Sequence, residues 1–135
     1  MTVVTLVGPP ESNGGVGQYT SEFADAMDGD VRIRRFDVGP NAISHLRLAV
    51  AAAREDADAV HVQFVYSFLG PAGALSILFF PLLYLLTRIE PKQVVLTLHE
   101  VWDESDTNSP PKRLYAAFVH ALLSICSDEV TFLSE

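Results

Sequence analysis

Two periodicities alternate along this chain. Residues 3–7 form an unbroken β-branched and apolar run, and residues 18–27 place Tyr19, Phe23, Ala26 and Met27 at helical spacing, so a strand is followed by a helix. Val31, Ile33 and Phe36 predict a second strand ending at Asp37, and residues 43–54 predict a second helix capped by Asn41 or Ser44. Residues 60–65 read as a third strand, residues 72–87 as a strongly apolar third helix, and residues 94–98 as a fourth strand. Ser109 followed by Pro110 is an N-cap and first-turn pair, which starts a helix reaching about Cys126. Residues 129–133 close the pattern as a fifth strand. Strands separated by helix-length segments predict an α/β fold, a Rossmann-like doubly wound parallel sheet of five strands in three α/β/α layers. The 135 residues fit one domain, 1–135, without repeats or low-complexity segments.

Composition narrows the chemistry. Nine basic residues against 17 acidic ones give a net charge of −8, which disfavours nucleic-acid backbones and anionic membrane surfaces. The single cysteine, Cys126, stands among Leu122, Leu123 and Ile125 and reads as a small buried hydrophobe, in keeping with a reducing compartment. The first residues lack the basic region of a secretory signal, so a cytoplasmic location is expected. From residue 59 to 87 there is no Asp, Glu, Lys or Arg. His61, Gln63, the Gly70-Pro71 pair and Pro81 nevertheless divide this segment, which favours strand, loop and buried helix over a membrane span. A helix apolar on most sides needs cover, from the sheet, from another domain or copy, or from a lipid surface.

Ligands of open parallel sheets bind beyond the carboxyl ends of the strands. That rule selects residues 8–17, Asp37, residues 63–70 and residues 99–103. Gly14, Gly15, Val16 and Gly17 read as a glycine loop between the first strand and a helix starting near Gln18. Glycines there admit a ligand close to backbone N–H groups, and the helix start favours negative charge, as a phosphate or sugar site requires. Gly15-Val16-Gly17 with Asp37 about 20 residues on is half of a dinucleotide fingerprint. Thr20 stands where the third glycine belongs, and the glycines begin six residues beyond Gly8, so a nicotinamide site is the weaker reading.

Four segments in register, Gly14-Gly15-Val16-Gly17-Gln18-Tyr19 with Phe23 and Ala24, Asp58-Ala59-Val60-His61-Val62-Gln63, Val94-Val95-Leu96-Thr97-Leu98-His99-Glu100, and Ser127-Asp128-Glu129-Val130-Thr131-Phe132-Leu133-Ser134, resemble the N-terminal domain of family 4 glycosyltransferases, which are GT-B enzymes. The resemblance spans nearly the whole chain. It implies retaining transfer of a sugar from a nucleotide-sugar donor to an acceptor, in a cleft between two similar domains of which this one mainly holds the acceptor. It places the glycine segment near the donor diphosphate and His99 beside the transferred sugar as the catalytic-site residue, with no metal and no cofactor beyond the nucleotide sugar. Tyr19, Gln63, Tyr66, Glu100 and Trp102 become acceptor-side candidates, and the acceptor is a sugar or a lipid-linked molecule. The family's C-terminal basic pair and Glu-x7-Glu pattern do not occur in residues 1–135, so this polypeptide alone is expected to lack transfer activity. A C-terminal-domain partner chain, or self-association through the apolar 72–86 helix, would then cover that helix, with peripheral contact at the inner face of the cell membrane.

Each candidate also has a plainer explanation. His99 can be a strand-end histidine bonded to a carbonyl, His61 a satisfied core histidine, Gln63 an ordinary strand-end hydrogen bond, and Tyr19 a packing partner of Phe23. Asp103 and Glu104 read as a solvated acidic loop. His99-Glu100-Val101-Trp102-Asp103 lacks the second histidine and the helix of a zinc-protease motif, and no Gly-x-Ser-x-Gly turn is present. A noncatalytic Rossmann-like binding or scaffold protein is the alternative of a different class.

Overall fold

A computed structural model describes residues 3–9, 14–27, 29–35, 41–99 and 108–132. Its elements are β1 (Val3–Gly8), α1 (Gly14–Ala26), β2 (Asp30–Arg35), α2 (Ala42–Arg54), β3 (Ala59–Phe64), two short 3-10 turns (Tyr66–Leu69 and Pro71–Gly73), α3 (Ser76–Ile89), β4 (Gln93–Leu98), α4 (Pro110–Ile125) and β5 (Glu129–Phe132). The strands form one parallel sheet in the order β2-β1-β3-β4-β5. This is the doubly wound α/β arrangement that the alternation of periodicities predicts.

The order also dictates where the helices lie. From β1 the chain steps to one side to reach β2, and every later crossover carries it the other way. With right-handed crossovers, α1 falls on one face of the sheet and α2, α3 and α4 on the other. The second face holds the apolar core, where Val60, Val62, Val94 and Leu96 meet Ala49 and Ala52 of α2, Phe79, Phe80 and Leu83 of α3, and Val119 and Leu123 of α4. Cys126 is buried in the same core, and burial pushes its thiol pKa up, as expected of an inert small hydrophobe. The first face alternates with the second along each strand and is mixed, with Val4 and Leu6 of β1 and Val95 of β4 beside a polar row. It carries His61 and Gln63 of β3, Thr97 of β4 with His99 just beyond, and Thr131 of β5.

Local signals account for most element ends. Asn41 caps α2, its side-chain oxygen accepting from the N–H groups of Ile43 (3.1 Å) and Ser44 (3.2 Å). Ser109 occupies the N-cap of α4 with prolines in the first turn, although its side chain makes no capping bond. The third helix begins at Ser76, later than the apolar run suggests. Gly70 (φ 80°), Ala72 (φ 53°) and Gly73 (φ 74°) adopt left-handed backbone and break the run into turns, and Tyr115 of α4 donates a hydrogen bond to the Ala72 carbonyl at 2.7 Å. Pro81 sits inside α3, and among the described residues no helix is long and apolar enough to cross a membrane. The inner side of α3 is buried, but Leu85 (62%) and Ile89 (77%) are exposed, as are Leu114 (74%) and Phe118 (50%) on α4.

Two aspartates fasten the amino end of the sheet in the same way. Asp58, one residue before β3, accepts from the N–H of Val3 at 2.8 Å, and Asp128, one residue before β5, accepts from the N–H of Val94 at 2.8 Å. In both cases the aspartate's own N–H bonds to the carbonyl of the same partner, so each strand start is clamped to its neighbour. These carboxylates explain part of the Asp58 and Asp128 segments by strand geometry alone. The Arg88 guanidinium, at 2.8 Å, and then the Val94 N–H hold the Asp128 carboxyl below its usual range. Its stabilising effect is therefore present above about pH 4, the unfolded value, and is lost as pH falls through the depressed folded value. Urea denaturation at pH 7 should find Asp128→Asn less stable than the parent, and the gap at pH 3 should be smaller. A gap of equal size at both values would refute a charged clamp.

Candidate functional site

The strand order reverses between β1 and β3, and in doubly wound sheets ligands bind beyond the carboxyl ends of the strands at that reversal. Here the rim is built from the end of β1, the first turn of α1, the end of β3 and His99 after β4. The glycines do not form a loop ahead of the helix, as the sequence suggests. Gly14 is already the first residue of α1, and Gly15 and Gly17 have no positive φ. The weak helix propensity of glycine hides this start in the sequence. A Cβ built on Gly15 meets nothing within 4 Å, so among the described residues neither backbone conformation nor packing calls for glycine there. Arg35, at the end of β2, fixes the same turn. Its guanidinium donates to the carbonyls of Pro9 (2.6 Å) and Gly17 (3.4 Å) and to the Ser21 hydroxyl (2.8 Å).

His99 continues β4 by one backbone bond, its N–H donating to the Phe64 carbonyl at 3.1 Å. Its ring meets the edge of Tyr19 at 5.0 Å between centroids, and its Nε2 bonds to Oε1 of the wholly buried Gln63. Gln63 Nε2 in turn lies 3.5 Å from His61 Nε2, which is 2.6 Å from the Thr97 hydroxyl, itself 2.8 Å from that of Thr131. Phe23 packs edge-on against His61 at 5.2 Å and stacks with Tyr19 at 5.9 Å, so α1 forms an aromatic roof over the two histidines. Burial is the main cause of the lowered pKa of both rings. That of His61 falls to about 4, with His99 adding repulsion. His61 is thus neutral at pH 7. Its contribution is complete above about pH 6.5 and declines as acid approaches the folded value.

The structure therefore brings Gly15, Gly17, Tyr19, Gln63 and His99 to one rim, together with Val16, which packs against the core. Tyr66 departs from that group. It is buried, its ring meets Phe64, and its hydroxyl lies 2.6 Å from His120 Nε2 of α4. Glu100, Trp102, Asp103, Glu104 and Asp37 lie outside the described residues. His61, Thr97 and Thr131 belong to the cluster although none stands out in the sequence as a site residue. The sequence signal for this cluster is the spacing by two in His61/Gln63 and Thr97/His99, which turns each pair to the same sheet face.

A cleft of about 620 Å³ lies at the opposite, amino end of the sheet, bordered by Asp58, Arg88, Lys92 and Asp128. Arg88 pairs with Asp128, and Lys92 bonds to the carbonyls of Ala53 and Glu55, so these charges fasten strand and helix ends. Among the described residues no group of three or more His, Cys, Asp or Glu side chains is placed to hold a metal ion. The fold and rim define a doubly wound α/β domain with backbone donors and a histidine–amide pair at its topological reversal. No protein-family model and no curated protein sequence matches the chain.

Proposed function

We propose that this domain is the acceptor-side half of a GT-B glycosyltransferase, which transfers a sugar with retention from a nucleotide-sugar donor to a sugar or lipid-linked acceptor. Gly15 carries this reading. A helical glycine is less stable than alanine by about 0.5–1 kcal/mol, and nothing among the described residues requires one here. What it provides is bare backbone at a helix N-terminus, where the macrodipole and unbonded N–H groups favour the diphosphate of a donor. Preorganised donors of this kind stabilise the charge that develops on the leaving diphosphate. His99 stands at the same rim, where it would orient the transferred sugar, and Tyr19 and Gln63 border the acceptor side.

In this reading the donor base is held by a second domain or chain. The exposed apolar residues Leu85 and Ile89 of α3, with Leu114 and Phe118 of α4, suit association with that partner, with another copy or with the inner surface of a membrane. The same residues favour the second reading, a noncatalytic scaffold that holds a partner without using the rim.

Amide chemical shifts distinguish the two. Nucleoside diphosphates and their sugar esters at millimolar concentration should move the amides of residues 14–17 and the His99 ring. Gly15→Ala should raise stability in urea by about 0.5–1 kcal/mol and weaken this binding by about tenfold or more. No shift at the rim with any of these ligands would refute the glycosyl-transfer reading.

A further inference from the structure

The side chains of His99, Gln63, His61, Thr97 and Thr131 form one hydrogen-bonded line across the α1 face of the sheet. Proton counting restricts how such a line can be arranged. A neutral imidazole has one donor and one acceptor nitrogen, a hydroxyl has one proton, and an amide has an oxygen that only accepts and a nitrogen that only donates. Gln63 turns Oε1 to His99 Nε2 and Nε2 to His61 Nε2. His99 Nε2 must then carry a proton, while His61 Nε2 must lack one.

The rest of the line fits that direction. With His61 Nε2 as acceptor, the Thr97 hydroxyl donates to it at 2.6 Å, which leaves Thr97 Oγ1 to accept from Thr131 at 2.8 Å. The competing acceptor for the Thr131 proton, the Leu96 carbonyl, is farther away at 3.3 Å. In this pattern the Thr97 hydroxyl is the close donor to the one lone pair of His61 Nε2, and the Gln63 amide, at 3.5 Å, is the weaker donor that shares it. Turning the Gln63 amide over would reverse both histidines together, so one buried amide governs the protonation pattern of two rings.

We propose that Gln63 is a positioning residue that holds His99 in the Nε2–H form and His61 in the Nδ1–H form, so that His99 offers its Nδ1 as a hydrogen-bond acceptor for a ligand hydroxyl. The rim is then bipolar: the first turn of α1 supplies donors for an anionic group, and His99 supplies an acceptor for a neutral hydroxyl. The tautomer assignment stands on side-chain geometry alone. Only the identity of the hydroxyl-bearing ligand, a sugar attached to a nucleoside diphosphate, rests on the proposed function.

Long-range proton–nitrogen correlation spectra of the chain labelled with nitrogen-15 histidine at pH 7 test the assignment, the four histidines being resolved by single substitutions. His61 is expected as the Nδ1–H form and His99 as the Nε2–H form. The same form in both rings, or the reverse pair, overturns the proposal, and no ligand is needed for that result. In Gln63→Glu the carboxylate accepts from both rings, so His61 should convert to Nε2–H while His99 stays unchanged. Retention of Nδ1–H in His61 would show that Thr97 rather than Gln63 sets its state. A carboxylate at this buried position can unfold the chain, and the parent spectrum then decides alone. Finally, a nucleotide sugar should shift the His99 Nδ1 resonance and the nucleoside diphosphate should not. Equal shifts would overturn the hydroxyl assignment while leaving diphosphate binding intact.

Discussion

Phe80→Ala is expected to lower the stability of this domain by about 3–5 kcal/mol, whereas Leu85→Ala, five residues further along the same helix, should change it by no more than about 0.5 kcal/mol. Phe80 is wholly buried, its ring 5.9 Å from Phe64 and 5.0 Å from Phe79, so truncation leaves a cavity at the joint between α3 and the sheet. Leu85 is 62% exposed, and its loss opens no cavity. Urea denaturation of the two variants checks the pair. Similar losses would mean that α3 presents a different side to the sheet.

Gly8→Ala is expected to be the most damaging single methyl addition at the rim, at about 1–3 kcal/mol. Gly8 ends β1, and a Cβ there would lie 2.7 Å from Oγ1 and 2.8 Å from Cγ2 of Thr20, a buried residue of α1 whose hydroxyl donates to the Val16 carbonyl. Strand and helix approach this closely only because Gly8 has no side chain. Thr20→Ala removes the two nearest atoms and leaves Cβ at 3.3 Å, so the double variant should lose less than the sum of the single losses. Strict additivity would refute the contact. Thr20 follows Gly17 by less than one turn, so relieving the overlap by shifting α1 would also displace the glycine turn and weaken ligand binding in Gly8→Ala.

These two sites show what the sequence makes legible. Alternation of strand and helix periods, the cap at Asn41 and the burial of Cys126 follow from local chemistry and recur in the structure. The inward side of α3 does not, because Arg88 is the one charged residue between Ser76 and Ile89 and an apolar surface on every side has no readable period. The glycine segment is misread for a related reason: helical glycines carry no positive propensity, and their role depends on the tertiary position of the turn. Strand order is nonlocal, so the meeting of His61 with Thr97 and of Gln63 with His99 waits on the pairing of β3 with β4. Tyr66 looks like a rim residue by its place after β3, yet its hydroxyl finds His120 on α4.

The two ends of the sheet are unequal as templates for a further strand. β2, at one edge, carries Arg32, Arg34 and Arg35, and Glu55 engages the first two, with Arg34 Nε at 2.8 Å holding the Glu55 carboxyl below its usual range. A foreign strand arriving there would have to approach a row of guanidinium groups, a recognised defence against edge-to-edge pairing. β5, at the other edge, is four residues long, has Glu129 as its one charge, and ends on Phe132, which is 64% exposed. β5 is thus the edge less defended by charge, where pairing with a further strand is expected first, although its four residues limit the backbone it can offer.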